Sequence, residues 1–83
     1  MSNARKLFQK MCNTYLNWRI EQLETVARHY NVRIRRPGSG SSHVIFHHPN
    51  WIESLSVPAH RPVKPVYVKN FVALISTLEN LNE

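Results

Sequence analysis

The spacing of the apolar residues changes at Asn31, and this change constrains the fold more than any other feature of the sequence. Before Asn31 the apolar residues recur with the four-residue step of an amphipathic helix, whereas directly after it they alternate with polar residues as in a half-buried strand. Asparagine tolerates the left-handed conformation in which many helices end. We therefore expect helices before this residue and a strand directly after it.

The same patterns set the bounds of the predicted elements. Apolar periodicity predicts helices over residues 5–16 and 20–30, and alternation predicts strands over residues 32–35, 43–48 and 55–57. Pro65 is well placed as the first residue of a last amphipathic helix, because proline lacks only a donor that would be unpaired there. The predicted fold class is α+β: a small α-α-β-β-β-α domain with a three-stranded antiparallel sheet, helices on one face and the other face open.

Size and charge limit the possible functions. The 83 residues suffice for a single domain over 1–83, in which 1–17 form an N-terminal helical extension and 18–83 the core. Eleven Lys and Arg against five Asp and Glu give a net charge of +6, so we expect a polyanion or an acidic protein as partner. No apolar run approaches the roughly 18 residues that cross a bilayer, so no membrane partner is expected.

The chain has a single cysteine, Cys12. One thiol excludes an internal disulfide framework and the paired thiolates of a zinc ribbon, and it favours a reducing, cytoplasmic location. Because Cys12 falls in the amphipathic pattern of the first predicted helix, we expect it to pack against the core.

Alternation assigns four basic or titratable side chains to the open face of the predicted sheet: Arg33 and Arg35 from one strand, His43 and His47 from the next. A neutral imidazole can take the proton of a ribose 2′-hydroxyl while guanidinium groups hold the phosphate, and this reaction needs no metal. These residues point to phosphodiester chemistry on RNA, with His43 as candidate general base. A histidine at a strand start is also commonly a surface or structural residue.

Three blocks of the sequence resemble the HicA family of mRNA interferase toxins. The blocks are GSSHVIFHHP at 40–49, VPAH at 57–60 and a Lys-Pro pair at 64–65, in the family's order and spacing. The family's catalytic histidine falls on His43. The chain differs from the family at Ser41, where the family has glycine, and at Val44, where it has a second histidine.

The resemblance implies a set of properties for this chain. It implies a fold like a double-stranded-RNA-binding domain and ribosome-independent endonuclease cleavage of mRNA. Because the 2′-hydroxyl reaction above is metal-independent, we expect no cofactor. It also implies a toxin of a type II toxin–antitoxin stress-response system, neutralised by a HicB-type antitoxin.

Further side chains are candidates for contact with RNA, either through charge or as donors around the phosphate. The candidates for phosphate or RNA binding are Arg33, Arg35, Ser41, Ser42, His47 and Lys64. Tyr67 could act as a second acid or donate a hydrogen bond to the scissile phosphate, but its helical spacing with Phe71 favours core packing. Arg61, Lys64 and Lys69 suit either backbone phosphates or plain solvation.

The remaining aromatic and imidazole side chains also have two interpretations. His47, His48 and His60 could join His43 as metal ligands, but adjacent strand residues face opposite ways and no cysteine or aspartate completes a shell. We therefore predict no metal site. Trp51 could stack on a base, yet a tryptophan in a turn usually covers the edge of a core.

Two other classes of function fit the sequence. A noncatalytic RNA-binding module of the same fold would hold a duplex by shape and phosphate contacts, and would bind RNA without shortening it. A protein-interaction domain would instead use its positive surface to bind an acidic partner. RNA binding that did not weaken with added salt would favour this last class.

Overall fold

Six elements make up the fold, and a computed structural model describes residues 3–36, 42–59 and 62–81. The elements are α1 (Asn3–Asn13), α2 (Ile20–His29), β1 (Arg33–Arg35), β2 (His43–His47), β3 (Leu55–Pro58) and α3 (Pro65–Leu81). The predicted α+β class and the order α-α-β-β-β-α are confirmed. None of the helices in the described ranges is long and apolar enough to cross a bilayer.

The first helix ends at Asn13, so its predicted extension to residue 16 is wrong. Beyond the helix, the Thr14 hydroxyl accepts a hydrogen bond from the Leu16 N–H at 3.3 Å, and the Thr14 carbonyl accepts one from the Trp18 indole at 2.8 Å. Asn17 then takes a left-handed φ of 64°. These side-chain contacts give the backbone an alternative to a further helical turn.

The apolar face of α1 joins the core through Phe8 and Met11, which are 3% and 0% exposed. Cys12, the next residue, is exposed, so the expectation that it packs in the core is wrong. It lies beside Arg5 and Glu79 at the helix surface. Partial desolvation raises the pKa of the Cys12 thiol, and the Glu79 carboxylate raises it further.

The second helix begins and ends close to its predicted bounds. The Arg19 N–H, just before the helix, donates to the Gln22 side chain at 2.9 Å and so satisfies a backbone donor that the helix leaves unpaired. Asn31 takes a φ of 63°, as its position at the change of periodicity predicts. The Val32 N–H then donates to the Ala27 carbonyl at 2.8 Å and closes the end of the helix.

The three strands form one antiparallel sheet in the order β1-β2-β3. Arg33 pairs with His47, and Arg35 pairs with Ile45. On the other side of β2, His43 pairs with Pro58. The first and second strands are each one residue shorter than predicted, and β3 is one residue longer because Pro58 still pairs at the edge, where a missing N–H is tolerated.

The core lies against one face of this sheet. Val44 and Phe46 of β2 and Val57 of β3 are at most 2% exposed. The Phe46 ring lies 5.1 Å from that of Phe71, a buried residue of α3. Alternation along the strands therefore leaves the opposite face of the sheet to solvent.

A tyrosine joins the end of α2 to α3. The Tyr30 hydroxyl donates to a Glu79 carboxylate oxygen at 2.6 Å. Burial first, and then this hydrogen bond to a carboxylate, raise the pKa of Tyr30 to about 12. Both causes favour the neutral phenol in the folded protein.

We expect Tyr30 to ionise near pH 12, above the ordinary value of 10.0. Its contribution to stability is therefore complete below pH 10 and is lost as the pH rises through 12. Ultraviolet titration of tyrosinate in the wild type and in Glu79→Gln tests this. The Tyr30 transition should move down in the variant, whereas superimposable curves would show that Glu79 does not act on this phenol.

Candidate nucleic-acid interface

Alternate residues of the three strands form the face of the sheet that points away from the core, here called the open face. The open face consists of Arg33, Arg35, His43, Ile45, His47, Ser56 and Pro58. All of these side chains are exposed except Ile45 and Pro58, which are half-buried. Two guanidinium groups and two imidazoles thus share one solvent-facing surface, with an isoleucine at its centre.

His43 is the first residue of β2 and is exposed. The Ala59 N–H donates to the carbonyl of Ser42 at 2.5 Å, which ties the start of β2 to the end of β3 and fixes the backbone next to the imidazole. Arg35 is a diagonal neighbour of His43, since it pairs with Ile45, two residues further along β2. Such diagonal neighbours have Cα atoms about 7–8 Å apart, within reach of a long side chain.

A groove of about 620 Å³ lies at the other end of β2, and we name it the β1–β2 groove. It is lined by Arg33, Ile34, Arg35, Ile45, His47 and Ser54. A hydrogen bond of 3.1 Å joins Nδ1 of His47 to the Ser54 hydroxyl. The groove therefore combines two cations, a hydrogen-bonded imidazole and half-buried isoleucines.

His43 does not line the β1–β2 groove. It stands four residues before His47 on the same strand, which corresponds to roughly 13 Å of strand length. The structure thus brings Arg33, Arg35 and His47 together, while His43 lies at the far end of the open face with Arg35 between the two imidazoles.

The other predicted contacts lie away from the strands or outside the described residues. Lys64 is exposed just before α3, and its carbonyl accepts a hydrogen bond from the Tyr67 N–H at 3.0 Å. Tyr67 is half-buried and packs against the core, which agrees with its helical spacing. Ser42, just before β2, is exposed. The candidates that lie outside the described residues are Ser41, His60 and Arg61.

The aromatic rings of the turn after β2, those of His48 and Trp51, have structural roles. Trp51 is 7% exposed and belongs to the core, so it covers the core edge as the turn position suggests. The His48 ring lies 5.8 Å from the Trp51 ring, and its Nδ1 accepts a hydrogen bond from the Asn50 N–H at 3.1 Å. Within residues 3–36, 42–59 and 62–81, no three His, Cys, Asp or Glu side chains group together so that they could hold a metal ion.

An ion pair that local periodicity does not reveal anchors the end of β1. Arg36, the residue after β1, pairs with the Glu24 carboxylate of α2. Glu24 is 4% exposed and is the one buried charged side chain among the described residues. Because a buried carboxylate needs a partner, this pair holds the strand that carries Arg33 and Arg35 against α2.

We expect Arg36→Ala to lower the free energy of unfolding by about 1–3 kcal/mol, since it leaves the Glu24 carboxylate without its cation. Urea denaturation measures the change. Arg28→Ala, which removes an exposed cation of α2, should stay within about 0.5 kcal/mol of the wild type. In a protein that already carries Glu24→Gln, Arg36→Ala should lower the free energy of unfolding much less than it does in the wild type. An equal decrease in both proteins would rule out coupling of the two residues.

Ser54 is a second site residue that local periodicity does not reveal. Extending the alternation of β3 one residue towards the N-terminus places Ser54 on the same face as Ser56. The pairing of Phe46 with Leu55 then brings Ser54 beside His47. Residues 47 and 54 are not neighbours in the sequence, so their contact can be predicted only when the register between β2 and β3 is known.

The fold and this surface define a small α+β domain with a basic, histidine-bearing open sheet face. Comparison of the chain with protein-family models, with curated proteins and with solved structures finds no match.

Proposed function

We propose that this protein is an endoribonuclease that cleaves single-stranded mRNA, as the toxin of a type II toxin–antitoxin system. One observation carries the proposal: an exposed imidazole, His43, lies on the same open sheet face as Arg33 and Arg35. The net charge of +6 supports an RNA substrate, because lysine and arginine supply most of the affinity for phosphate backbones. The resemblance of residues 40–49, 57–60 and 64–65 to HicA toxins supports the same activity.

In the proposed reaction His43 acts as general base. Its imidazole takes the proton of a ribose 2′-hydroxyl, and the 2′-oxygen attacks the adjacent phosphorus. The bond from phosphorus to the 5′-oxygen breaks, which leaves a 2′,3′-cyclic phosphate on one fragment. The 5′-oxygen takes a proton from water and becomes a hydroxyl on the other fragment, and the hydroxide that this leaves takes back the proton that His43 had accepted. Arg35, the described guanidinium nearest to His43 by strand register, offsets the charge that develops on the phosphate.

The proposal includes a HicB-type antitoxin and a cytoplasmic location. An antitoxin that covers the open face would have to compensate Arg33 and Arg35, so we expect acidic side chains on its contact surface. Co-purification with the product of the neighbouring gene, followed by RNA cleavage assays before and after its removal, tests the partner. Rescue of growth arrest by that product supports the pairing.

Purified protein incubated with RNA and excess EDTA tests the activity. Fragments with cyclic phosphate ends support the proposed reaction. RNA that is bound but not shortened would instead identify a noncatalytic RNA-binding module. Absence of any salt-dependent RNA binding would favour a domain that binds an acidic protein.

A further inference from the structure

We propose that the β1–β2 groove is a nucleotide subsite, separate from the position of His43, and that it holds a second nucleotide of the same RNA strand. The inference rests on the proposed ribonuclease function, because it assigns another contact to that substrate. The groove offers the two chemistries that a nucleotide needs. Its lining includes Ile45, which is half-buried, and Arg33 and Arg35, which are exposed.

The size and chemistry of the groove fit one nucleotide. Its volume of about 620 Å³ falls within the range of roughly 300–1,000 Å³ typical of small-molecule sites. A base or ribose can pack on Ile45, while guanidinium groups bind phosphate in a bidentate manner or stack on a base. The groove also has no described carboxylate among its lining residues that would repel a phosphate.

The spacing of the two histidines requires the occupant to be a different nucleotide from the one that is cleaved. The backbones of His43 and His47 are separated by roughly 13 Å along β2, and because side chains on a strand stand roughly perpendicular to the sheet, the imidazoles are separated by a similar distance, whereas a hydrogen bond spans about 3 Å. A single phosphodiester group therefore cannot contact both imidazoles. An RNA that reaches His47 while its scissile bond lies at His43 must extend across the open face.

Ser54 is a positioning residue for His47 in this subsite. The 3.1 Å hydrogen bond to the Ser54 hydroxyl engages Nδ1, so Nε2 is the ring nitrogen left for a ligand. When the hydroxyl donates to Nδ1, the proton of the neutral imidazole lies on Nε2. Nε2–H can then donate to a phosphate oxygen held by Arg33, the cross-strand partner of His47.

RNA oligonucleotides of increasing length, starting from a dinucleotide, test the subsite. Binding is measured by fluorescence anisotropy on His43→Ala protein, so that the RNA stays intact. Adding Arg33→Ala should weaken binding of the longer oligonucleotides about tenfold or more and lower the salt slope by about 0.7. Arg28→Ala removes the same charge from α2 and should leave both unchanged.

The role of Ser54 has its own readout. Ser54→Ala should weaken binding of the longer oligonucleotides about two- to tenfold without changing the salt slope. It should also shift the nitrogen NMR resonances of His47 towards a mixture of tautomers, and Ser54→Thr, which keeps the hydroxyl, should restore both properties. Unchanged His47 resonances and unchanged binding in Ser54→Ala would overturn the positioning role.

The subsite and the nuclease activity can fail separately. Binding of the longer oligonucleotides that Arg33→Ala weakens no more than Arg28→Ala does would overturn the subsite, even if the protein with His43 intact cleaves RNA. Conversely, a protein that never cleaves RNA but shows the predicted loss of RNA binding in Arg33→Ala would overturn the nuclease proposal and support the subsite.

Discussion

Replacing His43 by alanine is expected to lower the rate of RNA cleavage by about 10²- to 10⁴-fold, the usual contribution of a positioned acid–base group. RNA binding should change little, because Arg33 and Arg35 remain on the open face. The fold should also persist, since the side chain is exposed. Gel analysis of RNA incubated with equal amounts of each protein in EDTA measures the rates, and circular dichroism checks folding.

His29→Ala provides a matched control for this experiment. It removes another exposed imidazole, but from the last turn of α2 rather than from the sheet. Cleavage by this variant should equal that of the wild type. If His43→Ala cleaved RNA as fast as His29→Ala, the imidazole at position 43 would have no part in the chemistry.

Phe46→Ala should lower the free energy of unfolding by about 3–5 kcal/mol, more than any other variant proposed for this protein. Phe46 is 0% exposed and packs on Phe71, so truncation removes apolar burial and leaves a cavity between β2 and α3. Small domains are stable by only about 5–15 kcal/mol, so the loss would consume a large share of the total. Urea denaturation followed by tryptophan fluorescence measures the change.

Two further variants make this prediction specific. Phe46→Leu keeps most of the apolar volume and should cost less than Phe46→Ala. Ile52→Ala truncates a fully exposed apolar side chain, 102% exposed, and should stay within about 0.5 kcal/mol of the wild type. A Phe46→Ala protein as stable as Ile52→Ala would contradict the placement of Phe46 at the centre of the core.

Local patterns were sufficient to predict the parts of the fold that depend on local physics. The left-handed Asn31, the start of α3 at Pro65 and the alternation that exposes His43 and His47 all follow from single residues or short periods. The end of α1 could not be predicted in this way. The Thr14 hydroxyl accepts a hydrogen bond from the Leu16 N–H, and this bond replaces a further turn of the helix.

Contacts between distant segments could not be predicted from periodicity. Glu24 lies on α2, and Arg36 follows β1, twelve residues later in the chain. The two side chains meet only because the folded chain places the end of β1 next to α2. The bond between His47 and Ser54 likewise depends on the hairpin register. The separation of His43 from the groove around His47 follows from that register as well. Alternation along the strands predicts that His43 and His47 lie on one surface, but it does not predict which residues contact each of them.

NMR mapping of RNA contacts gives the most direct test that the open face is the RNA-binding surface. Amide resonances of His43→Ala protein would be followed while a single-stranded RNA oligonucleotide is added at low salt. We predict the largest shifts in β1 and β2, at Arg33, Arg35 and residues 43–47. Shifts confined to α1 and α2, or to the surface between Trp51 and α3, would contradict the account.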